Sequence, residues 1–220
     1  MRYFNSLPNL ITTDNKGNLL ALKNLLVRTA LIPKLQQNPL LFYKYDLQEG
    51  DTPEIVANKY YGDSYRYWIV LFANQMIDPQ WDWPMNTNVF NDYIVDKYQI
   101  AAAASLNINV ANTTPQQTVA YTQSTILNYY KTISTTDLAS GNITTVNLNV
   151  SPNDYANIIS TTQTNTFPTS NNQVTQTVTK YTETIYDYEV AQNESKRSIY
   201  LVNSAYVSQF ETQLQSLMGA

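Results

Sequence analysis

The stretch EGDTPEIVANKYYGD, residues 49–63, constrains the fold more than any other part of the chain. Gly50 turns the backbone. Asp51 with Glu54 three residues on approaches a capping box. With Thr52 as the cap instead, Pro53 falls at the first helical position, where its missing N–H costs nothing. Ile55, Val56 and Tyr60 then share the inner face of a short helix, and Gly62 supplies the left-handed residue that stops it. Asp63 or Ser64 opens a second helix, in which Tyr67, Trp68, Leu71 and Phe72 recur at helical spacing. The aromatic run LFYKYDL just before this stretch reads as a strand. Asp78-Pro79 marks a turn, and a second strand is expected over residues 83–89, pairing with the first. The unit is therefore strand–helix–helix–strand, with Tyr45, Ile55, Val56, Tyr60, Trp68, Leu71 and Phe72 as its core. Phe90 and Ile94 begin a helix that leads out of it.

The flanks differ in composition. Residues 1–40 hold a turn-like start and the run LLALKNLLVRTALI. Leu19, Leu22, Leu26 and Ala30 recur at helical spacing, so a helix is expected here, ended by Pro33. Its apolar stripe of Leu22, Leu25, Leu26 and Val27 needs a partner to cover it. Residues 101–180 carry only Lys131, Asp137, Asp154 and Lys180 as charges, with 18 Thr and 12 Asn. LNINV, TVAYTQ, ITTVNLNV and VTQTVTKYT alternate as half-buried strands do, and a small helical turn should follow Ser151-Pro152-Asn153. A disordered polar tract is the rival reading; the regular return of Val, Ile and Tyr favours a small β-rich region. In residues 181–220, YDYEVAQNESKRSIYLV reads as one helix. SAYVSQFETQLQSLM reads as another, capped by Ser204. Val207, Phe210, Leu214 and Leu217 step by three, four and three, the seam of a coiled coil.

Composition removes several functions. The 220-residue chain has a net charge of −4 and neither Cys nor His. Disulfides, thiolate or imidazole metal sites, and cysteine or histidine catalysis are excluded. An acidic balance without a basic block opposes binding to nucleic acid. The start lacks the pattern of a signal peptide, and no apolar run reaches the roughly 20 residues that span a bilayer, so a soluble chain made in a cytoplasm is expected. Gly, at five residues, is too scarce for phosphate-cradling loops. Asp78 and Asp82 beside Trp81 and Trp83 form the best-placed carboxylate pair, and such pairs can hydrolyse glycosides. Asp-Pro and Asp-Trp-Pro are also ordinary turn chemistry, and that reading outweighs the catalytic one. Trp81 and Trp83, if on one face of a strand, could anchor a protein, stack on a sugar, or fill the core. The 18 Tyr suit a protein rich in interface.

EGDTPEIVANKYYGD resembles the opening of a LysM domain, whose βααβ fold usually binds N-acetylglucosamine polymers. The end of the unit, ANQMIDPQWDWPM, departs from the loops that would hold a sugar. GDSYRYWIVLFANQMIDPQWDWPM resembles instead the LysM-like wedge subunit of contractile-tailed, T-even type phage baseplates. YFNSLPNL, VRTALIPKLQQNPLLFYKYDLQEGD and YEVAQNESKRSIYLV with the closing helix resemble other parts of that family in the same order. The likeness covers about residues 1–100 and 183–218, with 101–180 as an insertion.

The resemblance implies an α+β protein with a small LysM-like βααβ domain over 41–100. It has an N-terminal arm and helix over 1–40, an inserted β-rich region over 101–180, and C-terminal helices over 181–220. It implies a structural subunit of a phage tail baseplate wedge, not an enzyme, with no cofactor. Such a subunit joins neighbouring wedges and the core helical bundle. Its partners are other wedge proteins and the sheath-initiating protein, with no nucleic acid or membrane. Multiple copies would sit in a six-fold assembly in the virion tail, put together in the host cytoplasm. The candidate partner-binding residues are Tyr3, Phe4, Leu22, Leu26, Trp81, Trp83, Val207, Phe210, Leu214 and Leu217. The alternative is a LysM-type module for peptidoglycan.

Overall fold

The computed structural model describes residues 7–24, 40–166 and 173–218. Helices and strands are both abundant, as an α+β chain requires, and they divide into two units. One is built from residues 1–87 and 193–220, and the other from residues 88–192.

The first unit opens with an antiparallel hairpin, β1 (Asn9–Thr13) and β2 (Leu19–Lys23). The helix expected over LLALKNLLVRTALI and ended by Pro33 is thus wrong for residues 19–24; Leu26 and the rest of that run lie outside the described residues. Leu10-Ile11-Thr12-Thr13 pairs with Leu19-Leu20-Ala21-Leu22 across a tight polar turn, and that local closure outweighs the helical spacing of the leucines.

β3 (Phe42–Asp46) is followed by helix α1 (Pro53–Tyr61), a 3-10 turn over Ser64–Arg66, and helix α2 (Tyr67–Ala73). The cap of α1 is Thr52, whose Oγ1 accepts from the Ile55 N–H, with Pro53 at the first turn. Gly62 ends the helix at φ 68° in the left-handed region. The side chain of Asp63 caps the 3-10 turn through the Tyr65 N–H. The short helix α3 (Pro79–Asp82) comes next.

The strand expected over 83–89 does not form. Trp83 is extended only as the residue after α3, and Thr87 already starts a helix. The partner of β3 is β8 (Ser198–Val202), in register from Phe42↔Val202 to Asp46↔Ser198. The order strand–helix–helix–strand is present, closed by a strand from far along the chain. This also corrects the single helix expected over 186–202, which stops at Ser195 before β8 begins. Ile199, Leu201 and Val202 are buried there, and β-branched and apolar alternation suits a half-buried strand.

Helix α2 separates two parts of the core. Trp68, Ile69 and Ala73 pack with Leu7, Phe42, Val202, Val207 and Leu214. Val70 packs with Leu47, Val56, Ala57, Trp83, Ile199 and Leu201. Ile55, expected inside, is 42% exposed; Ala57 takes that place. Asn74, just past α2, closes the outer edge of β8: its side-chain oxygen accepts from the Tyr200 N–H at 2.7 Å and its Nδ2 donates to the Tyr200 carbonyl at 2.8 Å. A side-chain amide thus does what a third strand would do. The last helix, α8 (Val207–Met218), follows a 3-10 turn over Ser204–Tyr206, which Asn203 rather than Ser204 caps by accepting from the Ala205 N–H.

The second unit begins with helix α4 (Thr87–Leu106), the helix expected from Phe90 and Ile94, and it buries both of these side chains. LNINV and TVAYTQ are not strands. The first spans the end of α4, and the second lies in helix α5 (Pro115–Ser124). Thr114 and Gln117 form a full capping box there with Pro115 at the first turn. That start signal decides for helix over the alternation of TVAYTQ. Then come β4 (Ile126–Asp137), β5 (Ile143–Asn149), helix α6 (Pro152–Asn157), β6 (Thr161–Thr166) and β7 (Gln173–Thr184). The helical turn after Ser151 is as expected, with Ser151 as its cap. The strands form one antiparallel sheet in the order β5-β4-β7-β6. Helix α7 (Ile185–Ser195) leads back to the first unit.

Candidate protein interface

Among the described residues of the first unit, the β1–β2 hairpin leaves Leu10, Ile11, Leu19, Leu20 and Leu22 exposed. Its turn is built by Asp14. The carboxylate accepts from the Asn18 Nδ2 at 2.9 Å and from the Asn18 and Lys16 N–H groups at 2.8 Å each. These bonds, those from Asn18 foremost, hold the Asp14 carboxyl below the usual carboxylate range. Gly17, at φ 83°, supplies the left-handed residue of the turn.

The register pairs Leu10↔Leu22, Ile11↔Ala21, Thr12↔Leu20 and Thr13↔Leu19. Alternate residues share a face, so Leu10, Leu20 and Leu22 line one side and Ile11, Leu19 and Ala21 the other. Both sides are open: Leu10 is 51% and Leu22 52% exposed on one, and Ile11 72% and Leu19 76% on the other. The base is tied down by Leu7, buried in the core, whose carbonyl accepts from Lys23 Nζ at 2.8 Å. A lone hairpin is marginal in water, and covering each Leu or Ile side chain is worth about 1.5–3 kcal/mol. An element apolar on both sides is suited to lie against another protein.

The candidates from sequence separate into two groups. Leu22, Trp81 and Leu217 stay exposed on this chain. Trp83, Val207 and Leu214 are buried, and Phe210 packs beside Trp68 and Phe72. The seam of α8 therefore faces the core of its own unit up to Leu214, helped by an Arg66–Glu211 ion pair at 3.2 Å. Tyr3, Phe4 and Leu26 lie outside the described residues. The residues sequence reasoning missed are Leu10, Ile11, Leu19 and Leu20. Their signal was the Asp-Asn-Lys-Gly-Asn turn between two short apolar runs, Leu10-Ile11 and Leu19-Leu20-Ala21-Leu22.

The Gly-Asp-Thr turn is occupied by structure. Asp51 points inward, 8% exposed. Its carboxylate accepts from Lys59 Nζ at 2.6 Å, the Gln48 N–H at 3.1 Å and the Tyr45 hydroxyl at 3.2 Å. Burial alone would raise its pKa, but these donors, Lys59 first, prevail and hold it low. The Asp51 carbonyl accepts from the buried Trp83 indole at 2.8 Å. Trp83 is thus a plug under the turn, on a different element from a sugar-stacking pair with Trp81. The recess between residues 48–52, 83–86 and Arg197 has a volume of about 100 Å³, below the roughly 300 Å³ at which small-molecule sites begin.

Asp78 and Asp82 are used locally as well. Asp78 caps α3 through the Gln80 N–H, and one oxygen of Asp82 accepts from the Ile77 and Asp78 N–H groups at 2.9 and 3.0 Å. This is the turn chemistry weighed above. Among the described residues no group of acidic side chains could hold a metal ion, and no helix is long and apolar enough to cross a membrane.

In the second unit one carboxylate gathers several donors. Glu189, 5% exposed, accepts from Lys97 Nζ at 2.7 Å and from the hydroxyls of Tyr98 and Tyr93. Burial pushes its pKa up, and the Lys97 and Tyr98 hydrogen bonds outweigh that and lower it. Burial and the bond to Glu189 push the Tyr98 hydroxyl up to about 12. This cluster joins α4 to α7, with every oxygen engaged, so its role is structural.

Residues 34–131 match the family model of base plate wedge protein 53. The match runs from the lead into β3, through α1 to α5, and into β4. It supports a structural protein of a phage baseplate wedge. It also extends past residue 100, into a segment that showed no resemblance by motif, whereas the resemblances near both ends of the chain fall outside it. A comparison with curated proteins finds no match.

Proposed function

We propose that this protein is a structural subunit of a phage tail baseplate wedge, and that it works by holding other proteins together. The observation that carries this is the hairpin β1–β2, apolar on both faces and open on this chain, joined to a unit whose residues 34–87 lie within the match to a wedge-protein family. The strand–helix–helix–strand unit, of LysM-like order, serves as a rigid mount, and its Gly-Asp-Thr turn is filled by Asp51, Lys59 and Trp83. The hairpin would lie on a neighbouring wedge protein or on the helical bundle of the wedge core. The sheath-initiating protein is a further partner. Six-fold repetition would place several copies around the tail, assembled in the host cytoplasm and retained in the virion.

The test is incorporation. Leu20→Asp with Leu22→Asp should lower the amount of this chain in purified tails at least about tenfold, the effect of losing about 1.4 kcal/mol or more of docking free energy. The isolated double variant should keep the parental melting temperature, because neither side chain is buried. Normal incorporation would remove the hairpin from the interface. Tails that lack the parental chain altogether would end the structural reading.

A further inference from the structure

We propose that two copies of this protein join edge to edge through β5, extending the four-stranded sheet of each into one of eight. This inference concerns the second unit and does not rest on the wedge reading.

Among the described residues the outer edge of β5 has no strand beside it. Each of its residues is exposed. The strand, ITTVNLN, contains no charge and no proline, and its ladder with β4 runs without a bulge. These are the devices that normally keep an edge from pairing. The direction of the backbone groups follows from two hydrogen bonds to β4. The Val150 N–H donates to the Tyr129 carbonyl, and the Asp137 N–H donates to the Asn142 carbonyl. Even-numbered residues therefore bond to β4, and Ile143, Thr145, Asn147 and Asn149 aim their N–H and C=O groups outward.

A two-fold axis through Val146 satisfies all four. Ile143 then faces Asn149 of the second copy, and Thr145 faces Asn147, each exchanging both hydrogen bonds. Val146 meets its own copy as the closer, non-hydrogen-bonded pair. Both faces continue across such a joint. On one side, Val178, Ile133 and Val146 already lie in one cross-strand row, and the axis doubles that row. On the other side, Ser134 bonds Thr145 at 2.8 Å and Thr132 bonds Asn147 at 2.9 Å. Pairing Thr145 with Asn147 of the other copy links these bonds into one polar ladder.

The second open edge, β6, fits less well. Its TTQTNT sequence offers Thr161, Gln163 and Asn165 on the face where β5 offers Val146 and Leu148. Head-to-tail joining of β5 to β6 would set apolar side chains beside amides. The favoured partner of β5 is thus β5 itself, and the product is a closed dimer.

The experiment uses the full chain, which has no Cys. Val146→Cys places a single thiol on the proposed axis. The Cα separation of such a pair, about 4.5 Å, lies within the range a disulfide bridges. Mild oxidation should give a covalent dimer of the Val146→Cys protein. Gln163→Cys on β6 should give at least about tenfold less, the factor that separates a preferred pairing by about 1.4 kcal/mol. Sedimentation of the unmodified protein should show the mass rising from 25.1 kDa toward twice that over roughly tens to hundreds of micromolar. Thr145→Pro removes an outward N–H that β4 does not use, a position where an edge strand tolerates proline. It should abolish both dimer signals and leave the circular dichroism unchanged. A protein that stays monomeric to about 1 mM, equal crosslinking through Gln163→Cys, or growth beyond the dimer would each overturn the proposal.

Discussion

The two-stranded sheet of β3 and β8 and the four-stranded sheet of β4 to β7 reverse the usual relation between size and core. The smaller one buries Phe42, Ile199, Leu201 and Val202 against helices. In the larger one no side chain of β4, β5, β6 or β7 is buried. Hydrophobic burial holds the first. The second is held by its backbone ladder and by cross-strand pairs, such as Thr162 with Thr177 at 3.3 Å and the stacked rings of Tyr130 and Tyr181. Pairs of this kind contribute about 0.2–1 kcal/mol each. A sheet can thus be long and regular while depending little on a core of its own.

The sharpest test of that contrast removes one large side chain from each region. Trp68→Ala should destabilise the first unit by about 3–5 kcal/mol, because it opens a cavity among buried residues. Ile133→Ala, in the half-exposed centre of the larger sheet, should cost about 1 kcal/mol or less. Urea titration followed by tryptophan emission and far-ultraviolet dichroism would measure both. Equal losses would mean that the large sheet has a core after all.

A smaller effect is expected where the second unit does depend on a buried group. Glu189→Gln weakens the bonds from Lys97, Tyr98 and Tyr93, and should cost about 1.5–3 kcal/mol at pH 7, as for hydrogen bonds to a charged group. Because the folded carboxyl is held below its ordinary value, its contribution is present above the unfolded pKa of about 4.3 and is lost as pH falls through the folded one. The gap between parent and variant should therefore close in acid. A gap that stays constant from pH 7 to pH 3 would show that the charge of Glu189 is not what matters. The smallest effect belongs to the polar ladder. Thr177→Ala should lower stability by about 0.2–1 kcal/mol, and a larger loss would show that cross-strand hydroxyls carry more of the sheet than assigned above.

What could be read from sequence follows the range of the interaction. Thr52, Pro53 and Gly62 act on their immediate neighbours, so the start and stop of α1 were legible. So were Phe90 and Ile94 of α4, and the helical turn after Ser151. The partner of β3 was not, because Phe42 pairs with Val202 and no local pattern ties those segments together. SIYLV also fits a helix pattern until a strand is available to pair with it. The leucines of β2 satisfied a helical spacing by chance, and the Asp14–Gly17 turn that overrode it was the better signal. At the candidate interface, the seam of α8 was visible as a seam. That its own chain covers it depends on Trp68 and Phe72, which sequence alone does not place opposite Phe210.

The distant closing strand also sets an order of events during synthesis. β3 emerges from the ribosome early, but its partner β8 is about 150 residues behind, which at about 5–20 residues per second is a wait of about 8–30 s. The second unit, continuous in the chain, is complete before then. The first unit can finish only when the last strand is delivered. A chain cut short anywhere before Ser198 would lack β8 and leave β3 without a partner, so the unit that starts first in the chain would be the last to form.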